Sequence, residues 1–251
     1  MTAGGLEAAF ERARAFAAAA REGDPLERAR LAQLLGEAPP EALLAVLPAA
    51  DTPAAALRAL ALLAEAGALD RSAADPAVRA IEAAQRSDGA FAAGGAGEQA
   101  ALVTTGIAAG LLARSAFARP APLRRAGAWL SARWAPERVK DGDFGRLAAY
   151  AGWLANANPE IADAALQWCG REWERGFRSG RLGAAQAARV LLLADAPTLP
   201  GARLAPGEIA PALLAAQEGD GGWPAAGGGD RVAATAEALA ALRHLARWRR
   251  P

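Results

Sequence analysis

The chain has 251 residues, 53% of them apolar, with 28 Lys and Arg against 27 Asp and Glu and a formal net charge of +1. That length and apolar content suffice for a sizeable core, and the charge balance excludes a strong field for nucleic acid or an anionic membrane. A single cysteine, Cys169, excludes an intrachain disulfide, and Arg, Glu, Gly or Pro break every apolar run short of the ~20 residues of a membrane span.

From the start of the chain, Leu6 to Arg21 reads as a helix with Leu6, Phe10, Ala13 and Ala17 on one face. Charges run through its apolar positions, unlike a signal peptide, so the expected location is cytoplasmic. "EGDP" ends it. Asp24 is placed to cap a second helix, Leu26 to Leu35, with Pro25 at its first position. Glu41 to Leu47 follows "APP". A helix opening at Asp51 and Pro53 then runs to Gly67, and another runs from Asp75-Pro76 to Gln85.

After the turn "SDGAFAAGGAG", helices are predicted over about Glu98 to Ser115, Leu123 to Trp134, Arg146 to Asn156, Ile161 to Arg175 and Arg181 to Ala194. A proline-rich connector, "APTLPGARLAPG", precedes Glu208 to Gln217, and Arg231 to Arg247 comes last. Alanine, leucine, arginine and glutamate favour helix throughout, and no alternating run reads as a strand. The result is an all-α chain of about twelve helices in six hairpins. It carries no composition shift that marks a second domain, so residues 1–251 read as one.

Three segments repeat a short signature. "IEAAQRSDGAF" (81–91), "LLAAQEGDGGW" (213–223) and the shorter "VKDGDF" (139–144) all contain Asp-Gly-x-aromatic. In the first two, Gln85 and Gln217 stand three residues before Asp88 and Asp220, and Phe91 and Trp223 supply the ring. A helix with Thr near its start follows each, in "VTTGIAAGLLA" and "AATAEALAALR". The physics is structural: Gly accepts φ > 0, Asp caps backbone, the ring buries ~150–250 Å², and a Gln amide can reach a helix terminus.

This pattern, Gln-x-x-Asp-Gly-x-Trp/Phe before a Thr-rich helix, resembles the QW-type repeats of the terpenoid cyclase and protein prenyltransferase superfamily. The resemblance covers 78–115 and 207–245, with a degenerate copy at 137–157. It implies an (α/α)6 toroid, and an apolar isoprenoid chain in a central cavity as ligand. Protonating cyclases of that superfamily open an inner helix with Asp-x-Asp-Asp, whose middle Asp is the acid. On that resemblance Asp143 aligns with the acid and Asp141 with its supporting carboxylate, while Phe144 replaces the last Asp. An Asp in an apolar cavity can have its pKa raised and donate a proton. Tyr150 and Trp153 share a helix face just beyond and are the expected cavity lining, facing a cation through their rings. In the plainer reading "DGDF" is one more turn of the repeat.

No cofactor or metal is expected. Cys169 lacks the Asp that precedes the zinc-binding Cys of the resembling prenyltransferases, and His244 falls late in its helix. The Asp-rich metal motif of ionising terpene synthases and the phosphate-binding Gly loop are missing too. The degenerate motifs leave two further readings open. One is a non-catalytic toroid that binds a peptide or protein partner. The other is an open helical scaffold of the HEAT or tetratricopeptide kind.

Overall fold

The structure is a computed structural model that describes residues 3–20, 24–91, 97–140, 143–225 and 229–248. Among the described residues it contains twelve α-helices and no strand. The chain divides into two compact units.

The first unit joins Met1–Leu47 to Ala205–Pro251. It holds α1 (Ala3–Ala19), α2 (Pro25–Leu35), α3 (Pro40–Leu44), α11 (Pro206–Ala215) and α12 (Arg231–Arg247). α2 packs along α12, and α1 touches α2, α11 and α12. Punctuation sets the boundaries. Asp24 accepts from the Leu26 N–H at 3.0 Å ahead of Pro25, and Asp230 accepts from the Val232 N–H at 2.8 Å. At the other end of α2, Gly36 takes the left-handed conformation that closes a helix.

The second unit, Pro48–Leu204, holds α4 (Pro53–Glu65), α5 (Asp75–Ala83), α6 (Glu98–Ala113), α7 (Pro120–Ser131), α8 (Phe144–Ala157), α9 (Ala162–Arg178) and α10 (Ala184–Ala194). Its even-numbered helices form a row in which α4 meets α6, α6 meets α8 and α8 meets α10. Within the unit, α5 lies on α4, α7 on α6 and α9 on α8. This alternation is the hairpin rhythm expected from the sequence.

The centre of the second unit is a contact of backbone against backbone. A methyl placed on Gly106 of α6 would stand 2.7 Å from the Ala149 Cβ of α8, and one on Gly110 would stand 2.8 Å from the Gly152 carbonyl. Small residues on both faces therefore set the spacing of these helices. Beyond them, the Asn156 amide of α8 donates to its own Gly152 carbonyl at 2.7 Å and to the Leu193 carbonyl of α10 at 2.8 Å, tying those helices together. The Trp173 indole of α9 donates to the Ala187 carbonyl at 3.0 Å.

Several helix boundaries differ from the sequence reading, three of them for a clear physical reason. α7 begins at Pro120, not Leu123, because proline fits a first helical turn. α5 and α11 end before Gln85 and Gln217, whose N–H groups reach back to the Glu82 and Leu214 carbonyls, both at 3.2 Å. Both Gln side chains thus leave the helix and turn to other partners.

Candidate functional site

The two full signatures fold into the same device. Gln85 Nε2 donates to the Gly89 carbonyl at 3.0 Å and to the Pro122 carbonyl of α7 at 2.8 Å. Gln217 Nε2 donates to the Gly221 carbonyl at 2.8 Å and to the Ala9 carbonyl of α1 at 2.9 Å. The Oε1 of each Gln accepts from an arginine three residues past that helical carbonyl, Arg125 and Arg12 respectively. Asp88 and Asp220 accept from the Ala90 and Gly222 N–H groups at 3.1 and 3.0 Å, closing the turn. The N–H groups of Phe91 and Trp223 each donate to a threonine hydroxyl, Thr105 and Thr235, at 3.0 Å. Both rings are buried.

Each device is a clamp on a neighbouring helix, and glycine makes the approach possible. Gly89 and Gly221 sit at φ 99° and 91°. A methyl on Gly89 would lie 2.6 Å from the Arg125 carbonyl oxygen, and one on Gly221 would run into that of Arg12. Asp88 is held below the usual carboxylate range, first by the Ala90 N–H. Asp220 is held low first by its Arg231 partner and then by the Gly222 N–H. The sequence signature contained Gln, Asp and the ring. It did not reveal Arg12 and Arg125, whose only signal is their place three residues beyond the clamped carbonyl. Thr105 and Thr235 were visible as Thr near a helix start, without their task.

The described half of "DGDF", Asp143 and Phe144, makes none of the clamp's bonds. Asp141, the expected supporting carboxylate, lies outside the described residues. Asp143 is the N-cap of α8 and accepts from the Arg146 N–H at 2.9 Å. Its other oxygen accepts from Arg146 Nε at 2.8 Å and from Gln99 Nε2 of α6 at 3.1 Å. Phe144 opens α8 directly, whereas six residues stand between Phe91 and α6 and seven between Trp223 and α12. The reason is the missing glycine-rich spacer after Phe144, which lets the helix start at once.

Tyr150 and Trp153 belong to a file of rings. Trp134 meets Tyr150 edge-on with centroids 4.9 Å apart, and Tyr150 lies 6.2 Å from Trp153. The Tyr150 hydroxyl donates to the Arg133 carbonyl at 2.9 Å, and burial pushes its pKa up to about 12. Tyr150 is fully enclosed by packing.

Trp153 is itself buried but borders a groove. A groove of about 620 Å³ runs between α7, at Leu123, Arg124, Gly127 and Ser131, and the end of α8, at Trp153 and Asn156. That volume is in the range of small-molecule sites. Asp143 and Tyr150 do not line it, so the candidate residues spread along α8 from its cap to the groove.

The comparisons with protein-family models, curated proteins and solved structures return no match.

The remaining candidates are structural. Cys169 is buried, which pushes its thiol up to about 12. His244 is buried on α12 with its ring 6.4 Å from Trp248. Among the described residues no three His, Cys, Asp or Glu side chains converge as around a metal ion. Among those residues, too, no helix is long and apolar enough to cross a membrane.

Proposed function

We propose that this chain is a ligand-binding α/α ring of terpenoid cyclase- and prenyltransferase-like build, and that it holds an apolar, isoprenoid-type molecule in the groove beside Trp153. The observation that carries the binding role is the groove itself, with an indole in its wall. The repeat build is supported by the two clamps. The segment that joins α5 to α6 grips α7, and the segment that joins α11 to α12 grips α1 through the same set of bonds. A helix that stands first in the chain thus takes the place that α7 has in the other clamp.

On this reading the chain retains its ligand unchanged. Asp143 sits at the far end of α8 from Trp153, with both carboxylate oxygens already accepting from Arg146 and Gln99. Its role is to start α8 and tie it to α6.

Farnesol titrated by isothermal calorimetry, with product analysis of the same mixture, tests the reading. Saturable binding with farnesol recovered intact is expected. A cyclised product that disappears in Asp143→Asn would instead establish the protonation chemistry that the Asp-x-Asp-Asp resemblance implies. No saturation by farnesol would overturn the isoprenoid reading.

A further inference from the structure

The groove beside Trp153 has a chemical polarity that a simple apolar slot would lack. Trp153 is 1% exposed, yet its indole N–H donates to none of the described residues. A buried N–H without a partner costs free energy unless something accepts from it. The indole nitrogen is nevertheless not sealed from the outside. Gly127 explains why. A methyl built there would stand 3.9 Å from both Nε1 and Cζ2 of Trp153. The missing side chain leaves the N–H edge of the indole open to the groove.

Two more donors stand on the same wall. Arg124 is exposed at the rim with no hydrogen bond or ion pair to any described residue. The Ser131 hydroxyl, one α7 turn beyond Gly127, is unpartnered in the same sense. None of the described residues lining the groove is acidic. Both amide hydrogens of Asn156 are spent on the Gly152 and Leu193 carbonyls. The remaining wall, including Leu123, Ala128 and Pro159, is apolar. The groove therefore presents one cation and two neutral donors at a carbon-lined cleft.

We propose that this groove binds an aliphatic carboxylate. The acid group accepts from the Trp153 N–H and pairs with Arg124, and the hydrocarbon lies along Leu123 and Pro159. The proposal builds on the binding role assigned above and adds the head group. A carboxylate matches a guanidinium beside a neutral donor better than an alcohol does, because its bonds are charge-assisted.

The test measures calorimetric affinity for three probes: farnesol, farnesoic acid and dodecanoic acid. Farnesoic acid is expected to bind about tenfold or more tighter than farnesol, the scale of one charge-assisted bond. Arg124→Met is expected to abolish that preference while keeping alcohol-level affinity. Gly127→Leu should fill the window and lose binding of all three probes with helix content unchanged. Equal affinity for acid and alcohol overturns the carboxylate assignment and leaves the isoprenoid reading standing. Tight binding of dodecanoic acid with neither isoprenoid bound does the reverse. No binding by any probe, or acid binding indifferent to both Arg124→Met and Gly127→Leu, overturns the site.

Discussion

Replacing Gly221 by alanine should uncouple the last hairpin from the first helix. Two costs combine at this position. The φ of 91° is left-handed, and a side chain there costs roughly 1–2 kcal/mol. The added methyl would also stand 2.5 Å from the Arg12 carbonyl carbon and 3.1 Å from its Cβ. Backbone on one side and helix on the other leave it no room, so the turn must lift away from α1. Lifting breaks the Gln217 bonds to Ala9 and Arg12, at roughly 1 kcal/mol each. The sum is roughly 3–4 kcal/mol, a large share of the roughly 5–15 kcal/mol that holds a typical domain. Gly36 supplies the control. It also has a left-handed φ, 77°, but a methyl there meets nothing within 4 Å, so Gly36→Ala should cost only the roughly 1–2 kcal/mol of conformation. Urea unfolding followed by helical circular dichroism measures both. Equal midpoints for the two variants would refute the close-approach argument.

The other clamp elements and the capping and pH behaviour give further tests. Thr235→Val and Thr105→Val keep shape but strip the acceptor from the buried N–H groups of Trp223 and Phe91; each should cost roughly 1–3 kcal/mol in urea melts, and a loss below half that in both would remove the threonines from the clamp. Asp143→Ala should cost roughly 1 kcal/mol through the lost cap, with Asp143→Asn milder because Asn caps nearly as well; the same melts decide, and equal losses would show that capping is not what Asp143 contributes. Tyr150, ordinarily 10.0, is held neutral to about 12, so its share of stability is complete below pH 10 and is lost as pH rises toward 12. Thermal melts from pH 8 to 11 should show that loss flattened in Tyr150→Phe, and an unchanged alkaline slope would argue against it. At the acid end, Asp88 and Asp220 are held below 3.8. Their contribution is present above that pH and lost as pH falls below it, and Asp220→Asn should weaken the acid transition.

The helical hairpins were legible in the sequence because their punctuation is local. Asp24-Pro25, Pro53 and Asp75-Pro76 each open a helix where expected. The turn of the clamp was legible for the same reason, since Asp and Gly act within a few residues of each other. The other half of the clamp was not. Gln85 finds Pro122 at a separation of 37 residues and Gln217 finds Ala9 at 208, and nothing beside Arg12 or Arg125 marks them as partners. Tyr150 and Trp153 illustrate a second limit. Their spacing places them on neighbouring positions of one helix, which α8 bears out. Whether a ring lines a space depends on what stands opposite. Trp134 and the Arg133 carbonyl enclose Tyr150, whereas at the equally buried Trp153 the bare backbone of Gly127 leaves the N–H edge of the indole facing the groove. Phe144 shows a third limit, because an aromatic at the same place in the motif can open a helix at once where no glycine-rich stretch follows it.

The make-up of the first unit has a consequence for biosynthesis. Arg12 and Gln217 are 205 residues apart, which at ribosomal speeds of about 5–20 residues per second separates their emergence by about 10–40 seconds. During that interval α1 and α2 exist without α11 and α12. Ala9, Ala13, Leu31 and Leu34, all buried in the finished unit, are uncovered on the nascent chain. Glu11, Arg12, Arg14, Glu27, Arg28 and Arg30 are threaded among them. Charges so placed act as gatekeepers that discourage self-association of apolar segments. The N-terminal helices are thus written for a long wait as well as for their final packing.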